Sequence, residues 1–251
     1  MTIAWIIFAA LLGLVVGSFL NVCIDRLPAK KSIVYPSSHC DACQHPLKIW
    51  DNIPVFSYLL LRGKCRYCGA RIPQRIFWVE LGTGILFAFL FWRYELDYRF
   101  FLIAFYSCVL LVLALIDLQH KLILNVIVYP AAGIALIIDF FIPEFDIYKG
   151  VLGGAIGFAV LMLPAIISRA GMGWGDVKMA GLIGLMTGFP IVFVGLFLGI
   201  VLGGLIAVIL ILFRKKSRKD TIPFGPSLAL GAFIALIYGQ QILDWYLALF
   251  K

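Results

Sequence analysis

Residues 191–213 read IVFVGLFLGIVLGGLIAVILILF, an unbroken apolar run with no charged side chain. As a helix it would rise about 35 Å at 1.5 Å per residue, enough to cross a hydrocarbon layer about 30 Å thick. Directly after it stands Arg214-Lys215-Lys216-Ser217-Arg218-Lys219, the kind of basic block that stays on the cytosolic side of a membrane. Working outward, similar runs occur at Ile3 to Cys23, Phe77 to Phe91, Phe100 to Ile116, Leu122 to Phe140, Tyr148 to Ile167, Val177 to Phe189 and Pro226 to Leu249. Together they predict an all-α polytopic membrane protein with about eight transmembrane helices. Of the 251 residues, 63% are hydrophobic and 14% charged, against roughly 25% charged in soluble domains. A soluble fold is excluded. The net charge of +8 sits in the short gaps between apolar runs, where it reads as a topology signal and not as a nucleic-acid surface.

Three segments follow: residues 1–23 as the first span, 24–75 as a polar insert, and 76–251 as a transmembrane domain. The insert carries Arg26, Lys30, Lys31, Lys48, Arg62, Lys64, Arg66, Arg71 and Arg75 against Asp25, Asp41 and Asp51, so it is expected in the cytosol, with the N-terminus outside. Counting onward puts Gln119 to Lys121, Arg169 to Lys178 and the basic block after residue 213 on the same side. The outer loops, Trp92 to Arg99, Ile142 to Asp146 and the turn at Gly188 to Pro190, carry little net charge. The run Val177 to Phe189 is short for a full crossing. The first run lacks a basic preface and a small-residue cleavage pattern, so it is expected to remain as a span. Glycines at spacings of three and four, Gly150, Gly153, Gly154 and Gly157, then Gly195, Gly199, Gly203 and Gly204, suit close helix packing in lipid.

Ionisable groups beside hydrocarbon are costly and persist where they have a task or a partner. Two aspartates qualify. Asp117 closes the third run in Ile116-Asp117-Leu118, and Asp176 opens the sixth in Gly173-Trp174-Gly175-Asp176-Val177-Lys178. Both fall at the cytosolic boundary. Two adjacent carboxylates share a proton, so that one can act as base toward water and the other as acid toward a carbonyl. Glycines beside Asp176 would permit unusual backbone angles and close approach of a peptide. Equally, either aspartate could simply cap a helix. Asp139, Glu144, Asp146, Glu95, Asp97 and Asp244 fall at the outer surface, where solvation accounts for them.

Cys40-x-x-Cys43 and Cys65-x-x-Cys68 form two knuckles about 20 residues apart, the spacing of a zinc-ribbon-like site. Four thiolates leave no open coordination position, so such a zinc would be structural, holding an insert too small for a core of its own. Two disulfides would also use four cysteines, but lasting disulfides are rare in a reducing compartment. His39 and His45 flank the first knuckle as spare ligands. Cys23 and Cys108 fall in apolar runs, as packing residues.

These pieces, in this order, resemble the bacterial type IV prepilin peptidase family over nearly the whole chain. Gly17-Ser18-Phe19-Leu20-Asn21-Val22 with Arg26-Leu27-Pro28, the four cysteines, Glu80-Leu81, Asp117, the Gly-x-Gly-Asp motif ending at Asp176, and Ile222-Pro223-Phe224-Gly225-Pro226 all match. One departure is Leu124-Asn125, where the family often has proline followed by aspartate or asparagine. The resemblance implies a bacterial inner-membrane aspartyl endopeptidase with Asp117 and Asp176 as catalytic pair and Gly173, Gly175 and Lys178 in the active-site loop. Its substrates would be prepilins or type II secretion pseudopilins, cut after a glycine on the cytosolic face. It also implies N-methylation of the new terminus with S-adenosylmethionine, with Gly63 associated with methyl transfer, although no nucleotide-binding glycine fingerprint is visible. Three other readings stand beside it: a peptidase without methyl transfer, an assembly factor without chemistry, and a transporter with an aspartate proton relay. The last predicts repeated halves, which the sequence lacks. Oligomeric state is not legible.

Overall fold

A computed structural model describes residues 2–142, 146–167, 173–213 and 223–250. Glu144, Arg169, the basic block Arg214 to Lys219 and Ile222, all used in the reading above, lie outside the described residues. The fold is all-α and multi-pass. Among the described residues, six helices are long and apolar enough to cross a membrane: α1 (Thr2–Arg26), α3 (Gln74–Tyr94), α4 (Tyr98–His120), α6 (Ile147–Ile167), α8 (Val192–Leu212) and α9 (Gly225–Ala248). Three others fall short: α2 (Phe56–Leu60) in the insert, α5 (Asn125–Phe141) with 17 residues, and α7 (Trp174–Thr187) with 14. The expectation of about eight crossings thus meets, among the described residues, six helices of full length, one shorter apolar helix (α5) and the 14-residue α7.

The chain divides into two compact units, Met1–Cys108 and Val109–Lys251. In the first, α1 packs along α3. The contact is close because Gly17 faces the Glu80 backbone: a Cβ there would stand 2.8 Å from the Glu80 Cα. Asn21 donates to the carbonyl oxygens of Gly17 and Ile76, and Arg75 binds Asp25 at 2.7 Å, tying the end of α1 to the start of α3. The N-terminal half of α4 adds Phe100, which meets Phe87 and Phe91 edge to face.

In the second unit α7 is central, touching α5, α6, α8 and α9. Its Val177, Met179, Ala180 and Ile183 are fully buried. Apolar side chains around the whole helix are what a helix enclosed on all sides requires. Its closest neighbour is α6, where two glycines face each other: a Cβ on Gly153 would stand 2.5 Å from the Gly184 carbonyl oxygen, and one on Gly184 would strike Gly153.

The insert departs from a ribbon: among the described residues it has no strand, only isolated bridges at His39 with Pro46 and Lys64 with Arg71. Asp139 also departs from expectation. It is not at a solvated surface but buried against Gly150, and its Oδ2 has no hydrogen-bond partner among the described residues.

The facing glycines lead to a prediction. Gly184→Ala forces α6 and α7 apart and costs about 1–3 kcal/mol, the usual range for overpacking. Gly133→Ala, on α5 with nothing within 4 Å of the new Cβ, leaves stability unchanged or raises it by up to about 1 kcal/mol. Thermal unfolding in detergent distinguishes the two.

Candidate functional site

Asp117 lies one turn from the end of α4, where its own C-terminal carbonyls begin to lack partners. Its side chain reaches the start of α9: the Gly225 N–H donates to Asp117 Oδ2 at 2.9 Å. A helix N-terminus presents orphan N–H groups and the positive end of its dipole, so a carboxylate is well placed there. The capping alternative considered for Asp117 is thus realised, on a different helix from its own. Glycine is needed at 225 because a Cβ would stand 2.7 Å from Asp117 Oδ2. Asp117 itself is buried.

Asp176 lies in the first turn of α7. The backbone of Gly173 hydrogen-bonds its carboxylate, and it lies near enough to Asp117 to interact with it electrostatically. Helices that start 76 positions apart in sequence, at Tyr98 and Trp174, therefore bring the two carboxylates together. The glycines flanking Asp176 act differently from the expectation of unusual backbone angles. Gly173 has an ordinary extended φ of −73°, and Gly175 is helical; what it allows is close approach, since a Cβ there would stand 2.9 Å from Ile123 Cβ. Lys178 turns toward α5, donating to Asn125 Oδ1 at 3.0 Å and lying 5.7 Å from the Tyr129 ring centre. Asn125, which directly follows the departure from the family pattern at Leu124, is thus the partner that orients Lys178.

Sequence reasoning missed Gly225 as a ligand of Asp117, Ile123 as the contact of Gly175, and the role of Glu80. The Glu80 carboxylate is buried and accepts the Val55 N–H at 2.7 Å, fixing a residue held at φ +64° at the head of α2. A lone acid within an apolar helix was the available signal for Glu80. Nothing in the sequence signals the other two, which depend on contacts between distant segments.

Cys40, Cys43, Cys65 and Cys68 converge, their sulfurs all within 4.8 Å of one another. Each knuckle is one turn built twice. Gln44 N–H donates to the Cys40 carbonyl and Gly69 N–H to that of Cys65, and the turning residues hold φ +56° and +71°. His45 stacks on Tyr67 between them at 3.8 Å. Cys40 and Cys68 sulfurs stand 3.8 Å apart, far beyond the ~2.05 Å of a disulfide and equal to the edge of a tetrahedron with metal–sulfur bonds of about 2.3 Å. Backbone N–H groups of Cys43 and Ala42 pull the Cys40 thiol down to about 7. Despite a lowering hydrogen bond from Ala70, desolvation and the crowded thiols of Cys43, Cys65 and Cys40 push Cys68 up to about 12. Four thiolates at this spacing repel unless a cation lies among them, so the donor set fits a metal ion.

Known proteins resemble this sequence. Residues 11–94 match the profile of the bacterial peptidase A24 N-terminal domain, and residues 103–208 that of the type IV leader peptidase family. The prepilin leader peptidase/N-methyltransferase of Pseudomonas aeruginosa is 32% identical over 273 residues, covering 98% of this chain and 94% of the relative. That of Bacillus subtilis is 32% identical over 238 residues, covering 94% and 95%. That of Pseudomonas putida is 33% identical over 265 residues, covering 95% and 92%. No solved structure gives a significant match.

Asp51 links the two knuckles, accepting from Arg66 Nε at 2.7 Å, Tyr67 Oη at 3.1 Å and the Lys48 N–H at 3.2 Å. Desolvation pushes its carboxyl upward, but these donors outweigh it and hold the group below the ordinary carboxylate range. A depressed folded-state pKa contributes stability that is present above the ordinary value and lost as pH falls through the depressed one. Hydrogen-exchange protection factors across residues 38–72 are therefore expected to fall in acid, and Asp51→Asn to show the lower protection already at neutral pH.

Proposed function

The chain belongs to the type IV leader peptidase family, and from that membership we propose that it is an intramembrane aspartyl endopeptidase that removes the short basic leader from type IV prepilins or type II secretion pseudopilins. The observation that carries the chemistry is the meeting of Asp117 and Asp176 at one end of the helices.

In the mechanism we infer, the pair shares one proton. The ionised carboxylate takes a proton from water as the water oxygen attacks the scissile carbonyl carbon. The protonated carboxyl gives its proton to the carbonyl oxygen. In the resulting gem-diol one hydroxyl returns a proton to the pair, the other carboxyl protonates the amide nitrogen, and the C–N bond breaks. The pair ends with one proton, as it began. The Gly225 N–H fixes the orientation of Asp117 throughout, while Lys178, held by Asn125, fixes the start of α7 against α5. Gly173 caps the start of α7, and Gly175 lies in its first turn, where it lets Ile123 pack close.

The finer topology is part of this reading: eight crossings in a bacterial inner membrane, with α5 and α7 as short ones, the N-terminus outside, and cleavage after a glycine at the cytosolic face. Residues 1–23 and 76–251 would form the embedded part and 24–75 the cytosolic insert. There zinc on Cys40, Cys43, Cys65 and Cys68 would be structural, replacing the core that so short a segment lacks.

N-methylation of the new terminus, with S-adenosylmethionine as donor, is proposed from membership. Gly63 does not need a nucleotide to explain it: its φ is +67° and a Cβ would stand 2.9 Å from the Tyr58 hydroxyl. The described residues here make a filled turn, not a donor pocket, so no methyl-transfer step is drawn through it. Membership and the paired carboxylates also favour the peptidase over a transporter with a proton relay.

Two experiments follow. In liposomes with a prepilin, Asp117→Asn and Asp176→Asn should each lower the cleavage rate by about 10²–10⁴-fold, the usual contribution of a positioned acid or base, with membrane insertion intact. Substantial residual cleavage in either would remove the dyad. Elemental analysis should find a single zinc per chain, lost in Cys40→Ser. Chelation should impair methylation more than proteolysis, whereas equal loss of both would argue for one shared site.

A further inference from the structure

Between the two cysteine knuckles, residues 49–61 carry a single charged side chain, that of Asp51. It is only 3% exposed, held by Arg66, Tyr67 and the Lys48 N–H. The apolar side chains are open instead. Ile49 is 82% and Leu60 83% exposed, and Trp50, Ile53, Phe56 and Leu59 are exposed as well. Scattered apolar residues on a surface are ordinary, but six in so short a stretch mark a contact surface.

This stretch stands beside a membrane helix. The Val55 N–H donates to Glu80 of α3 at 2.7 Å, and the Tyr58 ring lies 5.2 Å from that of Phe77, also on α3. Ser57 Oγ donates to the Trp50 carbonyl at 2.6 Å, tying the residues before α2 to α2 itself. The 21 residues of α3 rise about 31 Å, no more than a hydrocarbon layer of about 30 Å requires. No turn of α3 is therefore to spare outside that layer. Phe77 and Glu80 lie about 5 and 9 Å along α3 from its first residue. On the other side Gly17 faces Glu80, and α1 continues to Arg26, about 13 Å further. The head of α2 thus sits inside the ends of two spans.

We propose that residues 49–61 do not stand in water with the rest of the insert but lie in the headgroup–acyl boundary of the lipid leaflet beside α3. The four-cysteine knuckles, joined to this stretch through Asp51, then rest directly on the membrane surface. The proposal needs α1 and α3 as spans and is independent of the peptidase chemistry. The level of Glu80 agrees with the depth of about 5–10 Å to which interfacial apolar segments sink. The tryptophans of this unit agree too: Trp50 and Trp78 are exposed on the insert's side, and Trp5 and Trp92 at the ends of α1 and α3 away from it. Tryptophans enriched at two levels mark the two faces of a membrane. Lys48 precedes the stretch and Arg62 and Lys64 follow it, where long stems carry their cations up to anionic headgroups. The same cations would repel the basic leader proposed above, and a protein partner would have to displace lipid from that level.

The test is tryptophan fluorescence of the full chain in vesicles of phosphatidylethanolamine and phosphatidylglycerol. Subtracting the signal of Trp50→Phe from that of wild type isolates Trp50, and Trp78→Phe does the same for the boundary of α3. Trp50 should be quenched about twofold or more by lipid brominated near the headgroup, less by lipid brominated at the chain ends, and hardly by aqueous iodide. Trp50 quenched by iodide while Trp78 is quenched by lipid overturns the proposal alone. Both quenched by iodide alone would remove α3 as a span and the proposal with it. Benzoylphenylalanine in place of Leu60 identifies the occupant by photocrosslinking, and decides the matter should Trp50→Phe fail to fold. Label on phospholipid that is unchanged when a prepilin is added supports the seat. Label on the prepilin, on a second copy of the chain, or on no partner overturns it. Neither readout uses cleavage, so loss of the peptidase reading leaves this one standing.

Discussion

Backbone N–H and C=O groups inside hydrocarbon have no water to bond, so each must find its partner along its own helix. That rule leaves unpaired backbone groups only at helix ends, and the second unit places its two candidate catalytic aspartates there. Asp117 near the end of α4, Asp176 at the start of α7 and Gly225 at the start of α9 are all terminal. The first N–H of α9, which would otherwise lack an acceptor, takes the Asp117 carboxylate. One hydrogen bond thus satisfies a helix end and orients an acid. Glycine is required where it forms, because any side chain would occupy the place of the carboxylate oxygen.

Most of this was legible. Apolar runs gave the helices to within a few residues, because their length is set by bilayer thickness. The two aspartates stood out because ionisable groups there are costly, and the four cysteines because their spacing is short-range. What was not legible depends on contact between segments distant in the chain. Asp139 looked like an interfacial acid by its place near the end of a run; that Gly150 would allow α6 to cover it could not be read from either helix alone. Glycines beside Asp176 suggested unusual dihedrals, whereas Gly175 serves a close approach by Ile123. α7 looked short for a crossing, and at 14 residues it is.

The insert illustrates a second economy of structure. Its two knuckles repeat the same turn, with a positive φ four residues after the first cysteine of each, and they are held by local hydrogen bonds in place of a sheet. Asp51 and the stack of His45 on Tyr67 join the halves. Glu80, meanwhile, reaches from α3 to the head of α2, so the polar segment is anchored to a membrane helix by a buried carboxylate as well as by chain continuity.

The shortness of α7 has a bearing on where water must come from. Its far end is pinned to the start of α6, where the Phe189 N–H donates to the Lys149 carbonyl. From Lys149 to Ile167 α6 climbs about 27 Å, and from Thr187 back to Asp176 α7 climbs about 17 Å. Asp176 therefore stands on the order of one to two helical turns below the rim set by α6. Hydrolysis consumes a water molecule, and the difference in length leaves a recess beside Asp176, lined by Val160, Leu161 and Pro164 of α6, by which one can arrive. Supply of the smaller reactant is then a property of the architecture, as much as positioning of the larger one.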